Sequence, residues 1–193
     1  MKLLTLTCLG IGILILISGC AGTPSSKFYT LSPITDQAKY LPKKDPLSIA
    51  ISPIKFPDFL DRAQIVTRPS PNTLKVSEIH RWGGSLSSNF VQIFGENLSA
   101  LLGTDRIFYP RQIENFPIDY RVRLNVKAFE GELGKEVVLN VDWIVIDQRQ
   151  KDTAIMQNTI IRESAEGPDY ESFVSAQSRA LGALSRQIAS VIK

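Results

Sequence analysis

The sequence predicts an α/β fold of the α+β two-layer kind, one twisted, mostly antiparallel or mixed sheet with two helices packed on one face. Three observations carry this. Tyr120 to Ala128 alternates apolar and polar residues with a period of two, the mark of a strand with one face on a core. The segments Leu86 to Leu102 and Tyr170 to Val191 carry apolar residues at spacings of three and four, so each presents a single apolar stripe. The order is several strands, a helix, four strands and a helix, with no internal repeat and no break long enough for a second domain. Helices with one stripe need a sheet to cover them, and two layers follow.

In chain order, Lys27 to Leu31 reads as a short strand ending at Ser32-Pro33, and a polar linker with Pro42-Lys43-Lys44-Asp45-Pro46 follows. Leu47 to Ile51 is a second strand, closed by Ser52-Pro53. Pro57 to Arg62 is a loop or single turn, because proline and aspartate punctuate it. Gln64 to Arg68 and Thr73 to Val76 form a hairpin around Pro69-Ser70-Pro71-Asn72. The first helix puts Leu86, Phe90, Ile93, Phe94, Leu98, Leu101 and Leu102 on one face, with serines before it and Gly103 as its stop. Arg106 to Tyr109 is a short strand ended by Pro110. Tyr120 to Ala128, Val137 to Ile146 and Ala154 to Arg162 make a meander whose first turn spans Glu130 to Glu136. If that turn pairs Ala128 with Val137, Arg123 lies opposite Asp142. The last helix starts after Asp169, a good N-cap, and its stripe is Tyr170, Phe173, Val174, Ala180, Leu181, Leu184, Ile188 and Val191.

The amino terminus sets the compartment. Met1-Lys2 is followed by an uncharged run from Leu3 to Ile17 and then by Ser18-Gly19-Cys20. The run is shorter than the ~20 apolar residues of a membrane span and fits the apolar core of a signal peptide. Its ending resembles a bacterial lipobox, with cleavage between Gly19 and Cys20 and a lipid on the Cys20 sulfur. Ile17 stands where leucine is commoner. The resulting division is a cleaved signal peptide over 1–19, a lipidated N-terminus and tether over 20–26, and one domain over 27–193. Two or more acyl chains hold a protein durably on a bilayer. Ala21, not aspartate, follows the cysteine, which resembles an outer-membrane address facing the periplasm. Cleavage also removes Cys8, so Cys20, palmitoylated or otherwise acylated, is the only cysteine left and no disulfide is expected.

Composition narrows the chemistry. The chain has 193 residues, 44% hydrophobic and 21% charged, with a net charge of +3, two cysteines and one histidine. That excludes disordered and collagen-like classes, and so small a charge argues for no nucleic-acid partner. No metal set can be assembled, so no cofactor is expected beyond the covalent lipid. His80, in Glu78-Ile79-His80-Arg81-Trp82-Gly83-Gly84, lacks a G-x-S-x-G partner motif and reads as packed beside Trp82 at the helix entry. Asp58 and Asp61 are three apart, and a carboxylate pair can serve a glycan hydrolase, but no further signature supports that role, and capping of local turns or pairing with Arg62 is the favoured reading. Arg121, Arg123 and Lys127 form a basic stripe that suits lipid headgroups, an acidic partner or a solvated face. Phe56, Phe59 and Leu60 are large apolar residues in a proline-bounded loop, either exposed for a partner or tucked under a sheet edge.

Several blocks occur in order: Phe28-Tyr29-Thr30-Leu31, Pro57-Asp58-Phe59-Leu60-Asp61-Arg62-Ala63-Gln64-Ile65-Val66, His80-Arg81-Trp82, Glu96-Asn97-Leu98 and Tyr109-Pro110. Together they resemble the PqiC/YmbA family of ABC-type transport auxiliary lipoproteins, those of paraquat-inducible and MCE-type lipid transport systems. The resemblance implies a compact α/β sandwich without catalytic residues, a docking component at the outer membrane. Its partners would be a membrane-anchored MCE-domain protein and an inner-membrane protein, with self-association left open. Phe56, Phe59, Leu60, Asp61, Arg62, His80, Arg81 and Trp82 are then the candidate partner surface or simply parts of the fold. A periplasmic cell-wall glycan hydrolase and a lipid carrier with an internal cavity are the alternatives.

Overall fold

The computed structural model describes residues 25–34, 45–109, 116–150 and 153–192. The signal segment with Gly19 and Cys20, the start of the tether and most of the predicted linker lie outside the described residues. The strands are β1 (Lys27–Tyr29), β2 (Ile49–Ile51), β3 (Gln64–Ser70), β4 (Thr73–Trp82), β5 (Ile107–Phe108), β6 (Tyr120–Gly131), β7 (Glu136–Asp147) and β8 (Thr153–Ser164). The helices are α1 (Leu86–Leu102) and α2 (Tyr170–Ala189).

The fold class is α/β as predicted, but the strands divide between two sheets, not one: a three-stranded sheet ordered β1-β4-β3 and a five-stranded sheet ordered β5-β2-β6-β7-β8. β1 runs parallel to β4, and β2 lies parallel to both β5 and β6, while β3–β4 and β6–β7–β8 are antiparallel. β3, the edge strand opposite β1, faces β6 without joining its ladder. Arg68 of β3 then joins the sheets by an ion pair to the buried Glu130 of β6, at 2.8 Å.

The β6–β7 register differs from the sequence expectation. β6 continues to Gly131, where any side chain would overlap the Glu136 carbonyl, and the turn is tightened by Gly134 at φ 72°. Arg123 therefore faces Ile144, and Asp142 faces Asn125. The slip is by two residues, so every side chain stays on its predicted face up to Val126. Val126 pairs with Val141 and Ala128 with Asn140, which leaves Lys127 as an extra residue. The bulge flips the alternation. Phe129, which the alternation of Tyr120 to Ala128 would place on the solvent side if it ran on unbroken, turns inward and is fully buried.

Both helices start where predicted and α1 stops where predicted too, while α2 ends at Ala189, short of Val191. The Ser85 hydroxyl accepts from the Ser88 N–H, and Gly103, at φ 67°, returns its N–H to the Ser99 carbonyl. Asp169 caps α2 by accepting from the Ser172 N–H at 2.8 Å, a bond that holds its carboxyl below the usual range. Leu101 departs from the predicted stripe and is 37% exposed.

The interior between sheets and helices is filled. Phe90 of α1 meets Phe129 of β6 edge-to-face at 5.2 Å, and Phe56 meets Phe90 at 5.5 Å and Phe129 at 6.3 Å, both edge-to-face. Trp143 is buried and donates its indole N–H to Thr159 Oγ1 at 2.9 Å, so its one polar atom is satisfied. Phe90 touches both a loop and a strand at the centre of this cluster. Phe90→Ala is expected to destabilise the domain by about 3–5 kcal/mol in urea unfolding, whereas Leu101→Ala, at a half-wet site, costs much less.

Candidate functional site

The Pro57–Arg62 segment folds back on itself, with the N–H groups of Leu60 and Asp61 both donating to the Pro57 carbonyl. That geometry buries Leu60 to 2% exposure and tucks Phe56 into the aromatic cluster. Phe59 is half-buried beneath the Arg68 guanidinium, which lies 5.6 Å from the ring centre. Leu60 and Phe56 are thus core residues, and the exposed apolar patch that this loop could have offered is not formed. Asp61 is exposed, and its Oδ1 accepts from the Ser85 and Ser87 hydroxyls at 3.2 and 2.9 Å. The carboxylate fastens the loop to the N-terminus of α1, where the helix dipole favours a negative charge. Asp58 and Arg62 stay exposed.

β4 runs further than predicted and takes Glu78 to Trp82 with it, so His80, Arg81 and Trp82 lie on a strand, not at a helix entry. Trp82 is buried, and its N–H donates to the Ala63 carbonyl at 2.7 Å, closing the loop against the strand. The His80 ring stacks on Tyr170 of α2, with 3.9 Å between ring centres and 14° between planes. Its Nδ1 meets the Tyr29 hydroxyl at 2.7 Å, and a neutral ring protonated at Nε2 accepts that hydroxyl's hydrogen. Burial and the nearby Lys27 charge both push the His80 pKa down, while burial and the charges of Glu171 and Asp169 push Tyr29 up. Both shifts keep the pair neutral. Arg81 Nε is buried with no acceptor among the described residues.

Two asparagines hold the start of the domain, Asn97 from the Glu96-Asn97-Leu98 block and Asn89, which the sequence reading did not single out. Asn89 Oδ1 accepts from the Leu31 N–H at 2.7 Å, and Asn97 Oδ1 accepts from the Ile34 N–H at 2.9 Å while its amide donates to Ser185 on α2. Both sit on α1, on the face toward the chain that follows β1. Their signal was present, since a polar residue inside an apolar stripe needs a buried partner.

The helix-free face of the five-stranded sheet carries the basic stripe. Lys127 reaches Asp142 at 2.7 Å, and this bond, with one from Asn158, holds the Asp142 carboxyl below its usual range. A groove of about 960 Å³ lies here, walled by Pro53, Lys55, Arg123, Ile144 and Met156. Neither Asp58 nor Asp61 lines it. Among the described residues no three His, Cys, Asp or Glu side chains converge as a metal set, and no helix is long and apolar enough to cross a membrane.

The class of the protein follows from its sequence across this fold, which packs two helices with two mixed sheets. Residues 29–189 match the family model for the ABC-type transport auxiliary lipoprotein component, and the chain belongs to that family. A crystal structure of an uncharacterized protein superposes with a TM-score of 0.71 at 17% identity, covering 88% of this chain and 100% of the other. Protein XCC0632 from Xanthomonas campestris, of the DUF330 family, gives 0.68 at 12% identity over 85% of this chain and 93% of its own. These two likenesses establish the fold. No curated protein matches the chain.

The His80 environment has a testable consequence. With its folded pKa below the ordinary 6.5, His80 takes up a proton more readily in the unfolded chain. Its contribution to stability is present above that value and is lost as the pH falls through it. The midpoint of thermal unfolding is expected to drop between about pH 7 and pH 5, and His80→Gln is expected to flatten that slope. Equal slopes in the two proteins would contradict this account.

Proposed function

We propose that this chain is the lipid-anchored, periplasmic docking component of an MCE-type lipid transport or membrane-integrity system, held on the outer membrane by Cys20 and acting by binding, not turnover. Membership of the transport auxiliary lipoprotein family over residues 29–189 carries the reading. The residue blocks of the sequence add to it. Asp61, the candidate acid of a hydrolase, is engaged with Ser85 and Ser87, and His80 is stacked on Tyr170. The space between sheets and helices, where a lipid carrier would need a cavity, is occupied by Phe90, Phe129, Trp143 and Phe173.

Of the residues assigned to a partner surface, Leu60 and Trp82 are buried, Phe56 packs in the aromatic cluster and His80 stacks on Tyr170, which leaves Phe59, Asp61, Arg62 and Arg81 at the loop and strand end. In this reading they meet an MCE-domain protein whose far end is set in the inner membrane, and no metal or organic cofactor takes part.

Crosslinking in intact cells, followed by purification in mild detergent, tests it. The expected product joins this chain to an MCE-domain protein. Absence of that protein from every crosslinked product, or release of sugar from cell-wall glycan by the purified protein, overturns the proposal. Cys20→Ala is expected to move the protein from the membrane to the soluble periplasmic fraction and to impair the pathway. Full function without the anchor would remove the tethering role.

A further inference from the structure

The pairing of β1 with β4 fixes the direction from which the tether arrives. The two strands are parallel, with Lys27 beside His80 and Tyr29 beside Trp82. Chain upstream of Lys27 therefore leaves toward the start of β4, the end occupied by the tip of the β3–β4 hairpin. β3 covers the length of the hairpin in six residue steps, from Gln64 opposite Arg81 to Ser70 opposite Thr73, so the tip projects at most about 17 Å past Lys27 at ~3.3 Å per residue. From Lys27 back to Cys20 is seven steps, and a fully extended chain of that length spans at most about 25 Å. The tip lies within the reach of the tether.

The tip is built for contact. Every residue from Pro69 to Val76 is exposed, and Leu74 and Val76, two apart on one strand face, are 38% and 39% exposed. Lys75 is the one charged residue between Pro69 and Ser77, and its long stem can leave an apolar surface and keep its ammonium among headgroups. Pro69 and Pro71 lack backbone N–H groups, which removes two donors that a dry interface would leave unpaired. Phe28, at the root of the tether, is 66% exposed.

We propose that the β3–β4 hairpin tip is a second membrane contact, in which Leu74 and Val76 enter the headgroup region of the bilayer that holds the Cys20 lipid. A tether drawn in to about 17 Å brings this end of the domain, the tip with the β6–β7 turn beside it, to the lipid. The occupant is a lipid surface, because the chain itself delivers that surface to this end. The contact fixes the orientation of the domain, with the β7–β8 turn, at the opposite end, pointing away from the bilayer. This inference rests on the reading that Cys20 is acylated.

The test uses the full-length, acylated protein in vesicles of phosphatidylethanolamine with a minor fraction of phosphatidylglycerol. Cys8 leaves with the signal peptide and Cys20 is occupied, so Leu74→Cys provides a single thiol for a nitroxide label. Gln148→Cys at the β7–β8 turn serves as the distant comparison. Oxygen accessibility relative to a water-soluble nickel complex is expected to be several-fold higher at position 74 than at 148. Flotation of the protein with the vesicles reads the anchor separately. If the protein floats and the label at 74 is no deeper than that at 148, the hairpin contact is wrong and the anchor stands. If the protein does not float, the anchor is wrong and this inference falls with it.

Discussion

One extra residue in β6 holds the two sheets together. Before Lys127 the strand alternates so that Tyr120, Val122, Leu124 and Val126 face the core, and after it the phase is shifted by one. The shift turns Phe129 inward against Phe90 and Phe56, and it presents Glu130 to Arg68 on β3. Without the bulge Phe129 would face solvent and Glu130 would enter the apolar interior. A buried carboxylate is tolerable only with a cationic or hydrogen-bonding partner, and Glu130 has Arg68 on one oxygen and the Phe129 N–H on the other. The three-stranded sheet is thus fixed to the five-stranded one by a group whose burial depends on it.

Elements with a local cause were readable in the sequence. The stripe from Leu86 to Leu102, the Gly103 stop, the Asp169 cap and the meander of β6, β7 and β8 follow from periodicity and capping chemistry. What escaped had non-local causes. The smaller sheet is completed by β1 crossing more than fifty residues to reach β4, and no window of sequence displays such a pairing. The register slip came from placing the turn at Glu130 when the strand runs on to Gly131. The bulge was hidden because Ala128, a small residue, fits an inner or an outer position equally well. At the candidate site, the blocks around Asp61 and His80 were visible as residues, but whether they faced a partner or the core was not. Leu60 and Trp82 went inward because the Pro57 carbonyl closes a tight turn and the Ala63 carbonyl takes the Trp82 N–H.

Polar groups that could have served chemistry serve architecture. Asp61 pins a loop to a helix start, His80 lies between a strand and α2, and Asn89 and Asn97 hold the segment that leads in from the tether. The amino-terminal chain is consequently clamped by both helices and by β4 over residues 27–34. A pull on the chain that precedes residue 27 is transmitted to the whole fold, not to a loose end.

The parallel edge pairing of β1 also bears on biogenesis. A strand at residues 27–29 whose ladder partner among the described residues lies at residues 80–82 cannot be docked until that partner has emerged. Chains are made amino terminus first, so for that interval residues 27–29 are unpaired and open to proteases. Completion of β4 then closes them into the ladder.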